Sequence, residues 1–352
     1  MSDRLEEHTI GATDMETGTG PRPTLAVGRP SRMRSWSAWA WKSLLVVGLV
    51  GGGLWTATHG VAGATWHDVL AVVRALQFRQ LAELSGIWLG GLAVYATVLS
   101  AALPGLGVRR SLLLNLSGSA VANLIPFGGA VATGLNWRMV RTWGHSNLAF
   151  ATFCVLTNAL DVAFKLVLPV VAVTGLALAA GHVPATLWVT ASICAAALVA
   201  VLPAQALVLR THRWNTVLGP LRQTIDRIHR LLLQRWGRLL PASLVYVATQ
   251  VALLEFSLRA VGLHAPVTVV LMAAAIERLS SLVPFTPGGA GFAEIGTIAW
   301  LVANGLDPVE VVAGVLVYRF FLIAMEVPVG GVLLGVWAWF QRSPRPAIGP
   351  VG

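Results

Sequence analysis

Residues Ser281–Glu294 read Ser-Leu-Val-Pro-Phe-Thr-Pro-Gly-Gly-Ala-Gly-Phe-Ala-Glu, two prolines and three glycines between two apolar arms, Val267–Leu279 and Phe292–Ala303. A helix that enters a bilayer and breaks there leaves backbone groups unpaired, which is tolerable only where protein or a wet cavity supplies partners. Glu277, Arg278 and Glu294 flank the break. An ionisable side chain at such a depth is a functional candidate by default. The stretch is therefore expected to form half of a substrate site.

Composition supports the bilayer setting. The chain of 352 residues is 56% hydrophobic and 11% charged, with a mean hydropathy of +0.72. Soluble domains carry more than twice that share of charge. The net charge of +10 does not point to nucleic acid, because the arginines gather in short segments beside apolar spans, where membrane topology accounts for them. Cys154 and Cys194 lie in apolar stretches without metal-ligand spacing and read as unpaired packing residues. No histidine has metal spacing, and no Walker motif, Gly-x-Ser-x-Gly or paired-acid motif is present. No cofactor, no metal and no enzymatic constellation are expected.

Taken in order, residues 1–35 read as a disordered cytoplasmic tail ending in Arg29, Arg32 and Arg34, with no signal peptide ahead of the first apolar run. The single transmembrane domain is expected over 36–342, with 343–352 a short cytoplasmic tail. Its first span is Ala40–Thr58, in which Gly51-Gly52-Gly53 reads as close helix packing. A connector over 59–79 is expected to hold a short interfacial helix around Trp66–Leu76. Further spans fall at about Leu81–Leu103, within Ala149–Leu178, at Leu187–Leu209, at Pro241–Leu263 and at Val309–Phe340, the last kinked or tilted near Pro328, Gly330 and Gly331.

Leu112–Ile125, Pro126-Phe-Gly-Gly-Ala130 and a second arm ending in Arg138 and Arg141 read either as one broken span or as a re-entrant hairpin. The hairpin keeps Arg109, Arg110, Arg138 and Arg141 on one side and is preferred on the charge rule. The basic cytoplasmic loop 210–240 carries Leu221, Ile225, Ile228, Leu232 and Trp236 at helical spacing. It reads as an amphipathic helix on the anionic inner leaflet, or as a solvated cytoplasmic helix. The expected fold is all-α and polytopic, with about six full transmembrane helices and two opposed re-entrant hairpins. Both termini are expected to be cytoplasmic, in the cytoplasmic (inner) membrane.

Asn123-Leu-Ile-Pro-Phe-Gly-Gly-Ala130 parallels Ser281-Leu-Val-Pro-Phe-Thr-Pro-Gly-Gly-Ala290. One break enters from inside and the other from outside, the pattern of inverted repeats that share a midplane site. The repeats would span about 81–178 and 241–342. Proline stops the first arm, and Gly128, Gly129, Gly288 and Gly289 let the backbone turn and approach a ligand closely. The following arm then begins with free N–H groups suited to an anion. Arg278, Arg319 and Arg138 or Lys165 are candidates to line a hydrophilic cavity and grip a phosphate. Glu277 and Glu294 would balance that charge, and Glu294 is a candidate to carry a proton. Interhelical pairing is the competing reading for each: Asp161 and Lys165 are four apart, and Arg319 and Glu326 are seven apart, each pair on one face.

Pro287-Gly-Gly-Ala-Gly-Phe-Ala-Glu294, with Glu277-Arg278 upstream and Tyr318-Arg319 downstream, resembles the lysylphosphatidylglycerol synthase transmembrane family, also called the flippase-like domain. The resemblance covers roughly residues 40–340. It implies a polytopic membrane protein related to those that flip aminoacylated phosphatidylglycerol or serve lipid-carried sugar pathways. Two departures stand out. Thr133-Gly134-Leu135 occupies the place where members often carry Gly-Glu, and no soluble aminoacyl-transferase domain follows the last span.

The expected function is translocation of an anionic phospholipid or lipid-linked precursor, with an anionic lipid or polyprenyl-phosphate-type lipid as partner. A separately encoded lipid-modifying enzyme is a further candidate partner. A membrane transferase acting on lipid phosphates and a non-transporting partner protein are the alternatives.

Overall fold

The computed structural model describes Gly52 and residues 55–124, 128–181, 183–210, 215–282 and 291–342, with 201–210 and 215–222 described by backbone alone. The expected tails, nearly all of the expected first span and the two turns holding Pro126, Pro287, Gly288 and Gly289 lie outside the described residues. Among the described residues every regular element is helical, as the apolar composition requires of a chain whose backbone must satisfy its own hydrogen bonds in lipid.

The short helix of the connector, α1 (Trp66–Arg74), begins where expected because Thr65 caps it, its hydroxyl oxygen accepting from the Asp68 amide at 3.3 Å. Helix α2 (Phe78–Ala102) is the next crossing. Helices α3 (Val108–Leu124) and α4 (Gly128–Thr142) form the first broken pair. Then come α5 (Asn147–Ala180), capped by Ser146 and ended by Gly181 at φ +66°, and α6 (Ala185–Arg210). Helix α7 (Asn215–Ala260) leads to the second broken pair, α8 (Val267–Ser280) and α9 (Phe292–Ala303). The chain closes with α10 (Pro308–Arg319), a π-helical turn at Phe320–Ala324, and α11 (Glu326–Arg342).

Four helical stretches among the described residues are long and apolar enough to cross a membrane: Phe78–Ala102, Asn147–Ala179, Gln223–Ala260 and Pro308–Gln341. The apolar stretch Ala185–Ala200 of α6 lies where the fourth crossing is expected. This is a polytopic all-α membrane protein.

Two expectations are refined. The basic segment is neither a loop nor a separate helix on the leaflet: α7 runs unbroken from Asn215 through Pro241 to Ala260. At 1.5 Å per residue it spans roughly 70 Å, well beyond a hydrocarbon core of about 30 Å. Its amphipathic turns therefore extend a crossing instead of lying beside one. In the last crossing the irregularity falls at the π turn after Arg319, with Met325 N–H donating to the Phe320 carbonyl at 2.9 Å, and helix continues through Pro328.

Both broken pairs fold back on themselves. In the first, a Cβ on Gly118 of α3 would lie 2.8 Å from the Asn136 side chain of α4. In the second, a Cβ on Gly296 of α9 would lie 2.8 Å from Ile276 of α8, and the Trp300 indole N–H donates to the Val269 carbonyl at 2.9 Å. The second hairpin is rooted where the start of α2 meets the end of α7, at the Gln80 amide–Ala260 carbonyl bond of 2.9 Å. The first is rooted at the other end of α2, through the short turn Leu103–Gly107. The hairpins thus enter the bundle from opposite ends. One apolar core gathers α8, α9, α10 and the C-terminal part of α7, and a second gathers the end of α2 with α3, α4 and the start of α5.

Candidate functional site

The arms of the second hairpin are tied by a three-residue ion cluster. Glu277 sits in the last turn of α8, Glu294 in the first turn of α9, and Arg319 is the last residue of α10. All three are buried, at 4%, 4% and 6% exposure. The Arg319 Nε donates to Glu294 Oε1 at 2.7 Å and its Nη1 donates to Glu277 Oε1 at 2.9 Å. One guanidinium fork thus bridges the two arms, which a lysine's single ammonium does not reproduce. The second Glu294 oxygen accepts from the Gly291 amide at 2.7 Å. Gly291 stands at φ +92°, where a side chain would be strained. The helix start expected to offer a bare N–H to an anion is therefore capped by its own carboxylate.

Arg278, one residue on from Glu277, points elsewhere. Its Nε lies 3.8 Å from Glu277, and its guanidinium carbon sits 5.9 Å from the Tyr246 ring centre. Its Nη2 is buried and has no hydrogen-bond partner among the described residues. Arg278 lines a small polar chamber with Tyr95 of α2, Thr157, Asp161 and Lys165 of α5, and Ser243 and Tyr246 of α7. Asp161 and Lys165 pair at 2.7 Å, as their spacing predicts, and the Tyr95 and Tyr246 rings stack at 4.5 Å. The chamber holds only about 30 Å³, room for water and not for a head group. Phe164, Leu168 and Val247 also line a neighbouring apolar groove of about 380 Å³ between α5, α7 and α8.

The sequence candidates therefore separate. Glu277, Glu294 and Arg319 come together as a clamp, and Arg278 and Lys165 come together in the chamber. Arg138 is exposed on α4, away from both. Gly128 is enclosed: a Cβ there would press on the Ala122 carbonyl and lie 2.6 Å from that of Val121, whereas a Cβ on Gly129 meets nothing within 4 Å. Gly288 and Gly289 lie outside the described residues. Tyr95 and Tyr246 were not singled out from the sequence, though two of three tyrosines in mid-span positions were a usable signal. Cys154 and Cys194 are unpaired, and no group of metal-binding side chains occurs among the described residues.

The Gly128 contact gives a direct check. Gly128→Ala should destabilise the protein by about 1–3 kcal/mol through forced backbone movement, and Gly129→Ala should leave the melting temperature in detergent unchanged.

Crossing helices, two folded-back helix pairs and a buried carboxylate–guanidinium clamp define a polytopic all-α membrane protein. The chain belongs to the family described as the lysylphosphatidylglycerol synthase TM region, whose model matches residues 40–330. No curated protein matches it.

Proposed function

We propose that this protein translocates an anionic lipid, a phospholipid or a lipid-linked precursor, between the leaflets of the cytoplasmic membrane, with Arg278 as the ligand for the phosphate. The observation that carries the reading is the orphaned Nη2 of Arg278 in a polar chamber that shares a wall with an apolar groove. A buried guanidinium donor without an acceptor is costly, and a phosphate oxygen is its natural complement. The groove suits an acyl chain, so head group and tail have adjacent berths. Because the chamber holds only about 30 Å³, the head group enters only when the helices around it part.

Family membership supports this reading, as does the opposed entry of the two hairpins. We read the hairpins as the halves of an inverted repeat that rock against each other, with both termini cytoplasmic. On this reading the protein moves lipid without making or breaking a covalent bond.

The test is Arg278→Gln in proteoliposomes, following fluorescent phosphatidylglycerol as it becomes accessible to a membrane-impermeant quencher. A lost charge-assisted hydrogen bond predicts a rate lower by about tenfold or more in correctly inserted protein. A rate equal to that of the parent would sink the assignment.

A further inference from the structure

The chamber and the apolar groove belong to the site already described. A third cavity, of about 780 Å³, opens at the end of the bundle where α2 finishes and α5 begins. One wall is a single face of α7, on which Gln223, Asp226, Arg227, Arg230 and Gln234 recur at helical spacing. The other wall is formed by the turns that hold Pro104 and His145 and by the first turns of α5 as far as the buried Thr152. Its volume falls within the range of small-molecule sites, about 300–1,000 Å³.

The charge around this cavity is almost all of one sign. Between Glu83 and Glu255 the acidic residues are Asp161 and Asp226, and Asp161 is paired with Lys165 in the chamber. Asp226 lies next to Arg227 and four residues before Arg230, yet neither arginine has an ion pair or hydrogen bond among the described residues. Arg141 of α4 donates to the His145 carbonyl at 3.3 Å and adds a further positive charge beside the cavity. A concave site lined by one sign of charge gathers ions of the other.

Its depth in the membrane follows from another face of α7. There Leu233, Trp236 and Leu240 are 65%, 62% and 43% exposed. An exposed apolar stripe that includes a tryptophan marks the boundary of the lipid. The cavity therefore lies level with the phosphates of one leaflet and opens towards water.

The same three helices, α2, α5 and α7, wall both this cavity and the Arg278 chamber. On α2, Val98 lines the chamber and Ala102 the cavity; on α5, Thr157 lines the chamber and Thr152 the cavity. Those steps of four and five residues correspond to about 6–8 Å along each helix. Leu99, Leu156 and Leu239, buried in one apolar cluster, occupy the intervening positions of the three helices.

We propose that this cavity is a second phosphate site, in which Arg227 and Arg230 grip a phosphate ester presented from the aqueous side and Asp226 limits the affinity. The chemistry is the same for a lipid head group of that leaflet and for a soluble phosphate ester. No covalent bond changes. Passage of a bound head group from here to Arg278 rests on the transport reading given above, whereas the binding site does not.

The experiment uses the full chain with Arg278→Gln as the background, which removes the chamber's phosphate ligand. In phosphatidylcholine nanodiscs it is titrated calorimetrically with glycerol 3-phosphate. In detergent, native mass spectrometry reads its retention of phosphatidylglycerol over phosphatidylcholine. Binding of glycerol 3-phosphate supports the site with a soluble source, and retention of phosphatidylglycerol alone supports it with a head group as source. Adding Arg227→Gln and Arg230→Gln together should weaken the binding by about tenfold. Adding Asp226→Asn instead should strengthen it severalfold, a gain that mere damage to the fold does not produce. Absence of binding by both probes, or unchanged affinity after the two arginine substitutions, would overturn the proposal.

In proteoliposomes of otherwise parent protein, Arg227→Gln with Arg230→Gln should raise severalfold the fraction of fluorescent phosphatidylglycerol needed for half-maximal flux. Binding that depends on Arg227 and Arg230 in a protein that moves no lipid would leave this site standing and bring down the transport reading.

Discussion

Arg319→Ala should be the most damaging truncation in the second hairpin, lowering stability by about 3–5 kcal/mol and leaving little folded protein in the membrane. The reasoning is electrostatic. Glu277 and Glu294 are each 4% exposed and receive their cation from one guanidinium, at 2.9 and 2.7 Å. Removing it leaves two like charges facing each other across the hairpin without water to screen them. Glu294 keeps its bond from the Gly291 amide, so the α8 arm should suffer first. Arg319→Lys should fall between parent and alanine, since one ammonium serves two diverging carboxylates poorly. The triple change Glu277→Gln, Glu294→Gln, Arg319→Met should recover much of the loss, because a buried ion cluster replaced whole by neutral groups is often close to neutral in stability. Melting of the detergent-solubilised variants checks the series. A parent-like melting temperature for Arg319→Ala would show that the cluster is not the clamp.

That cluster was half legible in the sequence. The break at Ser281–Glu294 and the charges beside it are conspicuous in a chain with 11% charged residues, and the three that cluster were all candidates. Their allocation was not legible. Arg319 and Arg278 look alike on paper, yet one is saturated by two protein carboxylates and the other has a buried N–H without a described partner. Which partner an intramembrane cation takes depends on how helices distant in sequence cross, and helices in lipid are apolar on every side, so periodicity does not mark the inward face. Tyr95, Tyr246 and Asp161 sit on three different helices and meet only through that packing. The fate of the basic segment was illegible for a related reason. Its amphipathic spacing continues into the apolar span without a helix stop strong enough to separate them, and Pro241 is accommodated within α7. The two hairpins were the most legible element, because Pro and Gly act on the backbone locally.

The contact between α11 and the first hairpin offers a second large effect with an internal control. A Cβ on Gly330 would collide with the Leu116 carbonyl oxygen and lie 2.6 Å from the carbonyl carbon and 2.9 Å from the Ala120 methyl. Two of those three atoms are backbone, so no side chain can swing aside, and the helices must separate or shift. Close approach at a small residue is how membrane helices gain packing energy without a hydrophobic drive between them. Gly330→Ala should therefore cost about 1–3 kcal/mol by overpacking, and Gly330→Leu should prevent α11 from docking. At Gly331 and Gly335 a Cβ meets nothing within 4 Å, so alanine there should be neutral or gain about 0.5–1 kcal/mol from reduced backbone freedom in the unfolded chain. Thermal melting of the three alanine variants separates packing from helix propensity, since propensity alone would move all three the same way.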